Sequence, residues 1–310
     1  MSRAFIFPGQ GAQTIGMGKA LADAYPAARA VFEEVDTALG ESLSTLIWEG
    51  DQQELTLTHN AQPALMATSI AAFKALETEG FDISDASFVA GHSLGEYSAL
   101  AASGAISIAD TARLLRIRGE AMQKAVPVGL GAMAALLGLD FETAQAVAKE
   151  AAEAGDSEVC QAANDNDPGQ VVVSGHKAAV ERAVEIAKEK GAKRAVLLPV
   201  SAPFHCALMQ PAADVMADAL ARVDVSAPEV PLVANVLAEA VTDPARIREL
   251  LVEQVTGSVR CVASMGAEGV TEIWEIGAGK ALSGMVRRIT RDIACAAVGT
   301  PDDIAKLKTA

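Results

Sequence analysis

The segment Gly91-His92-Ser93-Leu94-Gly95 has the G-x-S-x-G spacing that presents a serine hydroxyl as a nucleophile. An apolar run, Phe88-Val89-Ala90, precedes it, and the helix-forming run Tyr97–Ala102 follows and stops at Gly104. Strand, sharp turn and helix are the setting in which this spacing makes a nucleophile elbow. The two glycines leave room for a tight turn and a close helix crossing. The Ser93 hydroxyl then stands exposed at the sheet edge, and the next backbone N–H, that of Leu94, faces an oxygen of the group under attack. An ordinary glycine-flanked turn would carry the same letters; the flanking strand and helix favour the catalytic reading.

A serine nucleophile needs a base. The chain has four histidines. His59 lies in a polar loop, His176 starts a helix, and His92 points away from its neighbour in an elbow. His205 remains, in the proline-flanked loop Pro199–Cys206, and is the candidate base by elimination. No carboxylate stands out to orient it, and Asp214, Glu239 and Asp243 all stay open. In the helix that begins at Ser107, Leu114, Leu115, Ala121, Met122 and Ala125 share one face at 100° per residue, with Arg118 in its middle. An arginine there cannot deprotonate and must meet a carboxylate or reach water. Internal pairing and the binding of an anionic substrate fit that position equally well. The loop Pro8-Gly9-Gln10-Gly11-Ala12-Gln13 leaves a first strand, Ala4–Phe7, and offers free backbone N–H groups suited to an anion or oxyanion. Thr14 breaks the dinucleotide fingerprint, and Ala20 after Gly18-Lys19 breaks the phosphate-loop pattern.

The elements that position these residues follow from the pattern around them. Helices are expected over Leu21–Leu39, from Asn60 with Pro63 in its first turn, and over Leu208–Val223. Further strands are expected at Val230–Asn235 and Glu272–Ile276. Between Pro127 and Pro199 the order is strand Ala132–Leu139, helix Phe141–Ala154, strand Val159–Ala163, strand Gln170–Ser174, helix Ala178–Lys190 and strand Arg194–Leu198. This βαββαβ order is the ferredoxin-like unit. It predicts a small domain over 128–198 inserted in a larger α/β domain made of 1–127 and 199–310. Asn164–Gly169 reads as its central turn.

Composition bounds the rest. The chain has 310 residues, with 40 acidic against 25 basic side chains and a net charge of −15. That excludes non-specific nucleic-acid binding, which needs a basic face. The uncharged stretch Ala125–Leu139 contains a proline and several glycines and is shorter than the ~20 residues that span a bilayer. Cys160, Cys206, Cys261 and Cys295 are scattered, without metal spacing, and read as buried thiols of a reducing compartment. A cytoplasmic protein with no metal, no cofactor and no membrane partner is expected; a monomer is compatible with the sequence, which leaves the oligomeric state open. Lys188, Lys190, Lys193 and Arg194 form a local basic cluster, which is either a solvated helix end or a face for an acidic partner.

Taken in order, several segments are familiar together: Phe7–Gln13, Gln62-Pro63-Ala64-Leu65, Gly91–Tyr97, Arg116-Ile117-Arg118-Gly119, Asn166–Val172, Ser201–His205 and Gly277–Lys280. The set closely resembles the malonyl-CoA:acyl-carrier-protein transacylase family and covers nearly the whole chain. The resemblance implies an α/β-hydrolase-like large domain carrying the ferredoxin-like insert. It implies Ser93 as nucleophile, His205 as base, the N–H groups of Gln10 and Leu94 as oxyanion hole, and Arg118 as the ligand of malonate's free carboxylate. It further implies Gln62 as part of the acyl pocket and the main-chain carbonyl of Gln254 as the group that orients the histidine. The implied activity is transfer of malonyl from malonyl-CoA to the phosphopantetheine thiol of acyl carrier protein. A serine thioesterase or esterase shares the elbow and is the alternative, but it gives no reason for an inward Arg118.

Overall fold

The computed structural model describes residues 2–260 and 269–308. Two sheets organise these residues. The larger runs β10 (Ala294–Val298), β9 (Glu272–Ile276), β1 (Arg3–Phe7), β2 (Phe88–Gly91), β7 (Leu232–Val233) and β8 (Ala240–Val241), in that spatial order. All its neighbours pair in parallel except β7 with β8. The smaller sheet, in the order β4 (Cys160–Asp167), β5 (Gln170–His176), β3 (Gly131–Leu137) and β6 (Arg194–Leu197), is antiparallel throughout. It carries α8 (Phe141–Glu153) and α9 (Lys177–Glu189) and has a core of its own around Leu136, Val147, Val171, Val173 and Val180. The fold is therefore α/β, with a parallel-rich sheet and a separate ferredoxin-like unit.

Alternation along β1 explains how the larger sheet is covered. Phe5 and Phe7 join the main core, while Ala4 and Ile6 join a second cluster with Ala90, Val233, Ile273 and Leu282 on the opposite face. A parallel sheet needs both faces buried, and the near-continuous apolar strands supply that. Against the main core pack α2 (Pro26–Leu39), α5 (Thr58–Thr78), α6 (Leu94–Ala102), α7 (Ile108–Lys124) and α10 (Gln210–Leu220). The chain leaves β1 toward β2 on one side and leaves β9 toward β10 on the other, which makes the carboxyl ends of β1 and β9 a switch point, one strand away from β2. Open α/β sheets bind ligands at such points.

Several expected boundaries move, each for a local reason. The helix expected over Leu21–Leu39 is two, α1 (Lys19–Ala24) and α2, because Tyr25 before Pro26 is extended, with φ −126° and ψ 114°. The helix expected from Asn60 starts at Thr58, so Pro63 lies inside it and Asn60 is no cap; its side chain instead donates to the Glu54 carbonyl at 2.9 Å. The strand expected at Val159–Ala163 continues to Asp167 as β4, with two register shifts, which leaves only Pro168-Gly169 as the turn. Val230–Asn235 shrinks to the two residues of β7. Cys160 and Cys206 are buried, whereas Cys295 is only half-buried and Cys261 lies outside the described residues. Among the described residues no helix is long and apolar enough to cross a membrane.

Candidate active site

Ser93 sits at the carboxyl end of β2 with φ 54° and ψ −108°, a conformation that costs ~1–3 kcal/mol and persists only where its surroundings impose it. The glycines make the turn sterically possible. A Cβ on Gly91 would lie 1.9 Å from the Gly95 carbonyl carbon, and one on Gly95 would lie 2.2 Å from the Phe7 carbonyl oxygen. Asn235, just past β7, holds the turn from below. Its Oδ1 accepts from the Ser93 N–H at 2.8 Å, and its Nδ2 donates to the Gly91 carbonyl at 2.7 Å. Leu94 begins α6, so its N–H has no intrahelical acceptor, and the N–H of Gln10 is likewise not taken by any described residue.

His205 comes to the serine from the loop before α10. Its Nε2 lies 2.8 Å from Ser93 Oγ, and its Nδ1 lies 2.9 Å from the main-chain oxygen of Gln254 in α11 (Pro244–Thr256). A carbonyl can only accept, so Nδ1 carries the proton and Nε2 presents a lone pair to the serine hydroxyl. Burial, followed by the nearby Arg118 cation, pushes the imidazole down to about 3, which keeps it neutral, with the Nε2 lone pair free to accept the serine proton. None of the three carboxylates left open reaches this ring. Asp214 accepts from Gln210, Asp243 caps α11 through the Arg246 N–H, and Glu239 makes only a main-chain bond, to the Ala234 N–H.

Arg118 is 1% exposed and points from α7 into the same space. Its Nη1 donates to Gln62 Oε1 at 2.8 Å; its Nη2 donates to Gln254 Oε1 at 2.9 Å and Ser93 Oγ at 3.0 Å. Among the described residues no carboxylate forms an ion pair with it. The Tyr97 ring centroid lies 5.6 Å from the guanidinium carbon. The cation is thus held by neutral dipoles and a ring face and not by a direct ion pair. The other sequence candidates also gather here: Gln62 touches Met122 Sδ at 3.7 Å, and the Gln10 amide reaches Thr58 Oγ1 at 3.4 Å. His92 turns away, its Nε2 3.1 Å from Asn166 Oδ1 in β4. A cleft of about 450 Å³ opens above the serine, walled by Gln10, Leu57, Met122, Met133, Leu198 and Phe204.

Two participants had not been singled out from the sequence. Glu96 is buried in the first turn of α6; its Oε2 accepts from Gln254 Nε2 at 2.6 Å and from the Asn235 N–H at 3.3 Å. Burial pushes its carboxyl up to about 7 against the pull of these donors and of Arg118. Asn235 is the second. Asn235 ends an apolar run and Glu96 closes the glycine-flanked serine motif, and those placements are the only sequence signals they carry. The basic cluster is partly spent: Lys188 pairs with Glu185 at 2.7 Å and Lys190 with Glu150 at 3.4 Å.

A doubly covered α/β sheet with an elbow serine, a histidine on its hydroxyl and a buried cation beside them has the geometry for nucleophilic chemistry on an acyl group. The sequence model of the acyl transferase domain family matches residues 4–268, and the chain belongs to that family. It is 50% identical over 304 residues to malonyl CoA-acyl carrier protein transacylase of Bacillus subtilis (strain 168), covering 97% of this chain and 94% of that one. The solved acyl-carrier-protein S-malonyltransferase of Bartonella henselae is 57% identical, with a TM-score of 0.95 over 100% of this chain and 99% of its own. A malonyl-transacylase solved in complex with a type II PKS acyl-carrier protein is 40% identical and matches with a TM-score of 0.94 over the full length of both.

Proposed function

We propose that this protein moves a malonyl group from malonyl-CoA to the phosphopantetheine thiol of an acyl carrier protein through a malonyl ester on Ser93, supplying fatty-acid or polyketide synthesis in the cytoplasm. The observation that carries the reading is the buried Arg118 guanidinium, without a carboxylate partner among the described residues, 3.0 Å from the Ser93 hydroxyl. Malonyl differs from acetyl by one carboxylate, and a planar guanidinium binds that group through paired hydrogen bonds.

In this reading the Ser93 proton passes to His205 Nε2 as Oγ attacks the thioester carbonyl carbon. The N–H groups of Gln10 and Leu94 hold the resulting oxyanion, each contributing ~3 kcal/mol. The carbonyl re-forms, the carbon–sulfur bond breaks, and His205 returns the proton to the departing CoA sulfur. The carrier's thiol then reverses the sequence: it gives its proton to His205, attacks the ester, and Ser93 leaves with the proton restored. Gln62 fixes one side of the guanidinium, and the Gln254 carbonyl fixes the ring that shuttles the proton. Residues 128–198 act as an inserted domain against the larger one of 1–127 and 199–310, with the cleft between their facing walls. The proposed steps need no metal or cofactor.

Relatives named for malonyl transfer to acyl carrier protein support the reading, as does a relative solved with a carrier. A thioesterase would use the same serine and histidine, so the test compares fates of one thioester. With malonyl-CoA and a phosphopantetheinylated carrier, transfer to the carrier thiol should outrun release of free malonate. Hydrolysis that exceeds transfer at saturating carrier would overturn the proposal.

A further inference from the structure

The site holds a buried cation and a buried carboxylate in the same small volume, and they do not pair. Arg118 and Glu96 are each 1% exposed. A direct ion pair is the usual outcome for two such charges, and breaking one is costly. Here the Gln254 side chain stands between them, accepting from Arg118 Nη2 at 2.9 Å through Oε1 and donating to Glu96 Oε2 at 2.6 Å through Nε2. We propose that the Gln254 amide is a spacer, held in one orientation by Glu96, that keeps the Arg118 charge unconsumed for the carboxylate of the acyl group. The proposal rests on the malonyl reading of the site.

The orientation of the amide has one solution. Three acceptors surround Nε2: Glu96 Oε2, the Ser93 carbonyl at 3.0 Å and Asn235 Oδ1 at 3.3 Å. Asn235 cannot flip to accommodate the reverse, because its Oδ1 and Nδ2 are committed to the Ser93 N–H and the Gly91 carbonyl. The nitrogen of Gln254 therefore faces the acceptors and its oxygen faces the guanidinium. An amide accepts from a cation at one end and donates to a carboxylate at the other while carrying no charge itself. A carboxylate at this position would neutralise Arg118; an apolar side chain would leave both charged groups short of a partner. The result is a guanidinium whose three hydrogen-bonded partners, Gln62, Gln254 and Ser93, are all neutral. The bond to Ser93 Oγ is the one a bound acyl carboxylate would replace.

Two roles thus meet in one residue through different atoms. The main-chain oxygen of Gln254 orients His205 whatever the side chain is, so side-chain substitutions separate the clamp from the base. Glu96 is a positioning residue in this scheme: its hydrogen-bonded link to Arg118 runs through Gln254.

The test is the ratio of second-order rates at which malonyl-CoA and acetyl-CoA acylate the protein, followed by intact mass. Gln254→Glu places a carboxylate directly on Arg118 and should lower the malonyl-to-acetyl ratio by ~10- to 100-fold, the loss of one charged hydrogen bond to substrate. Should two adjacent carboxylates prevent folding, the double variant Glu96→Gln/Gln254→Glu keeps a single carboxylate and moves it onto the arginine; the same fall is expected. A purely structural role would depress both substrates together and leave the ratio unchanged. If the unmodified protein prefers malonyl-CoA and the folded variants retain that ratio, the spacer is overturned alone. If the unmodified protein shows no such preference, the malonyl reading falls and the spacer falls with it.

Discussion

Removing the Arg118 guanidinium should change what the protein accepts more than whether it works. In the free site the group makes hydrogen bonds of 2.8, 2.9 and 3.0 Å to Gln62, Gln254 and Ser93, with no carboxylate partner among the described residues. A bound malonyl carboxylate gains two charged bonds worth ~1.5–3 kcal/mol each. Part of that gain is offset by giving up the bond to Ser93. A net loss of ~3–5 kcal/mol in Arg118→Ala corresponds to a ~10²- to 10⁴-fold fall in kcat/KM for malonyl-CoA. Acetyl-CoA, which has no carboxylate to place, should lose far less. The truncation also strands two buried amide oxygens, at ~1–3 kcal/mol each, so the melting temperature should drop while the protein stays folded. The assay is acyl-enzyme formation from the two thioesters, with circular dichroism to establish the fold. Equal proportional losses for malonyl and acetyl would refute the clamp and assign Arg118 to structure.

Other consequences can be checked separately. Gly95→Ala drives a methyl group to within 2.2 Å of the Phe7 carbonyl and should displace the elbow, abolishing acylation even where far-ultraviolet dichroism shows a folded chain; normal acylation would mean the turn has slack. The His205 ring, held low by burial and by Arg118, should stay neutral as pH falls from 8 to 5. Because its folded value is depressed, the stability it contributes is present above the unfolded value of 6.5 and is lost as pH falls below it. The nuclear magnetic resonance signal missing from His205→Ala identifies the ring, and a midpoint near 6.5 would contradict the burial argument. Of the basic cluster, Lys193 and Arg194 make no ion pair with any described residue, and β6 leads from them to Leu198 on the cleft wall. Reversing both charges should raise KM for the carrier and weaken its salt dependence while acylation by malonyl-CoA is unchanged; unaltered carrier kinetics would remove the patch from docking.

What could be read from sequence divides along physical lines. The elbow was legible because its geometry demands glycine at two fixed positions, where a Cβ meets backbone at 1.9 and 2.2 Å. Arg118 was legible because helical periodicity places a charged residue on an apolar stripe, a contradiction visible without coordinates. The small unit was legible from its βαββαβ order, though β4 ran past the expected turn to Asp167. The support beneath the site was not. A main-chain oxygen such as that of Gln254 leaves no letter in the sequence, so a search for an orienting acid had nothing to find, and only the family resemblance pointed to that carbonyl. Asn235 and Glu96 act through buried hydrogen bonds across 139 and more positions, set by tertiary packing around a strand only two residues long. The break at Pro26 is a proline signal that apolar periodicity alone does not weigh, and the Lys188–Glu185 pair is a local i,i+3 contact, whereas the pairing of Lys190 with Glu150 depended on a helix packed alongside.

The proposed transfer stands on a malonyl ester at Ser93. Mixing the protein with malonyl-CoA, measuring intact mass, and mapping the adduct by proteolysis tests it directly. One malonyl group should appear on the peptide that contains Ser93, be absent from Ser93→Ala, and disappear when phosphopantetheinylated carrier is added, with the malonyl group recovered on the carrier. An adduct that persists in folded Ser93→Ala, or transfer that proceeds without any adduct, would contradict the account.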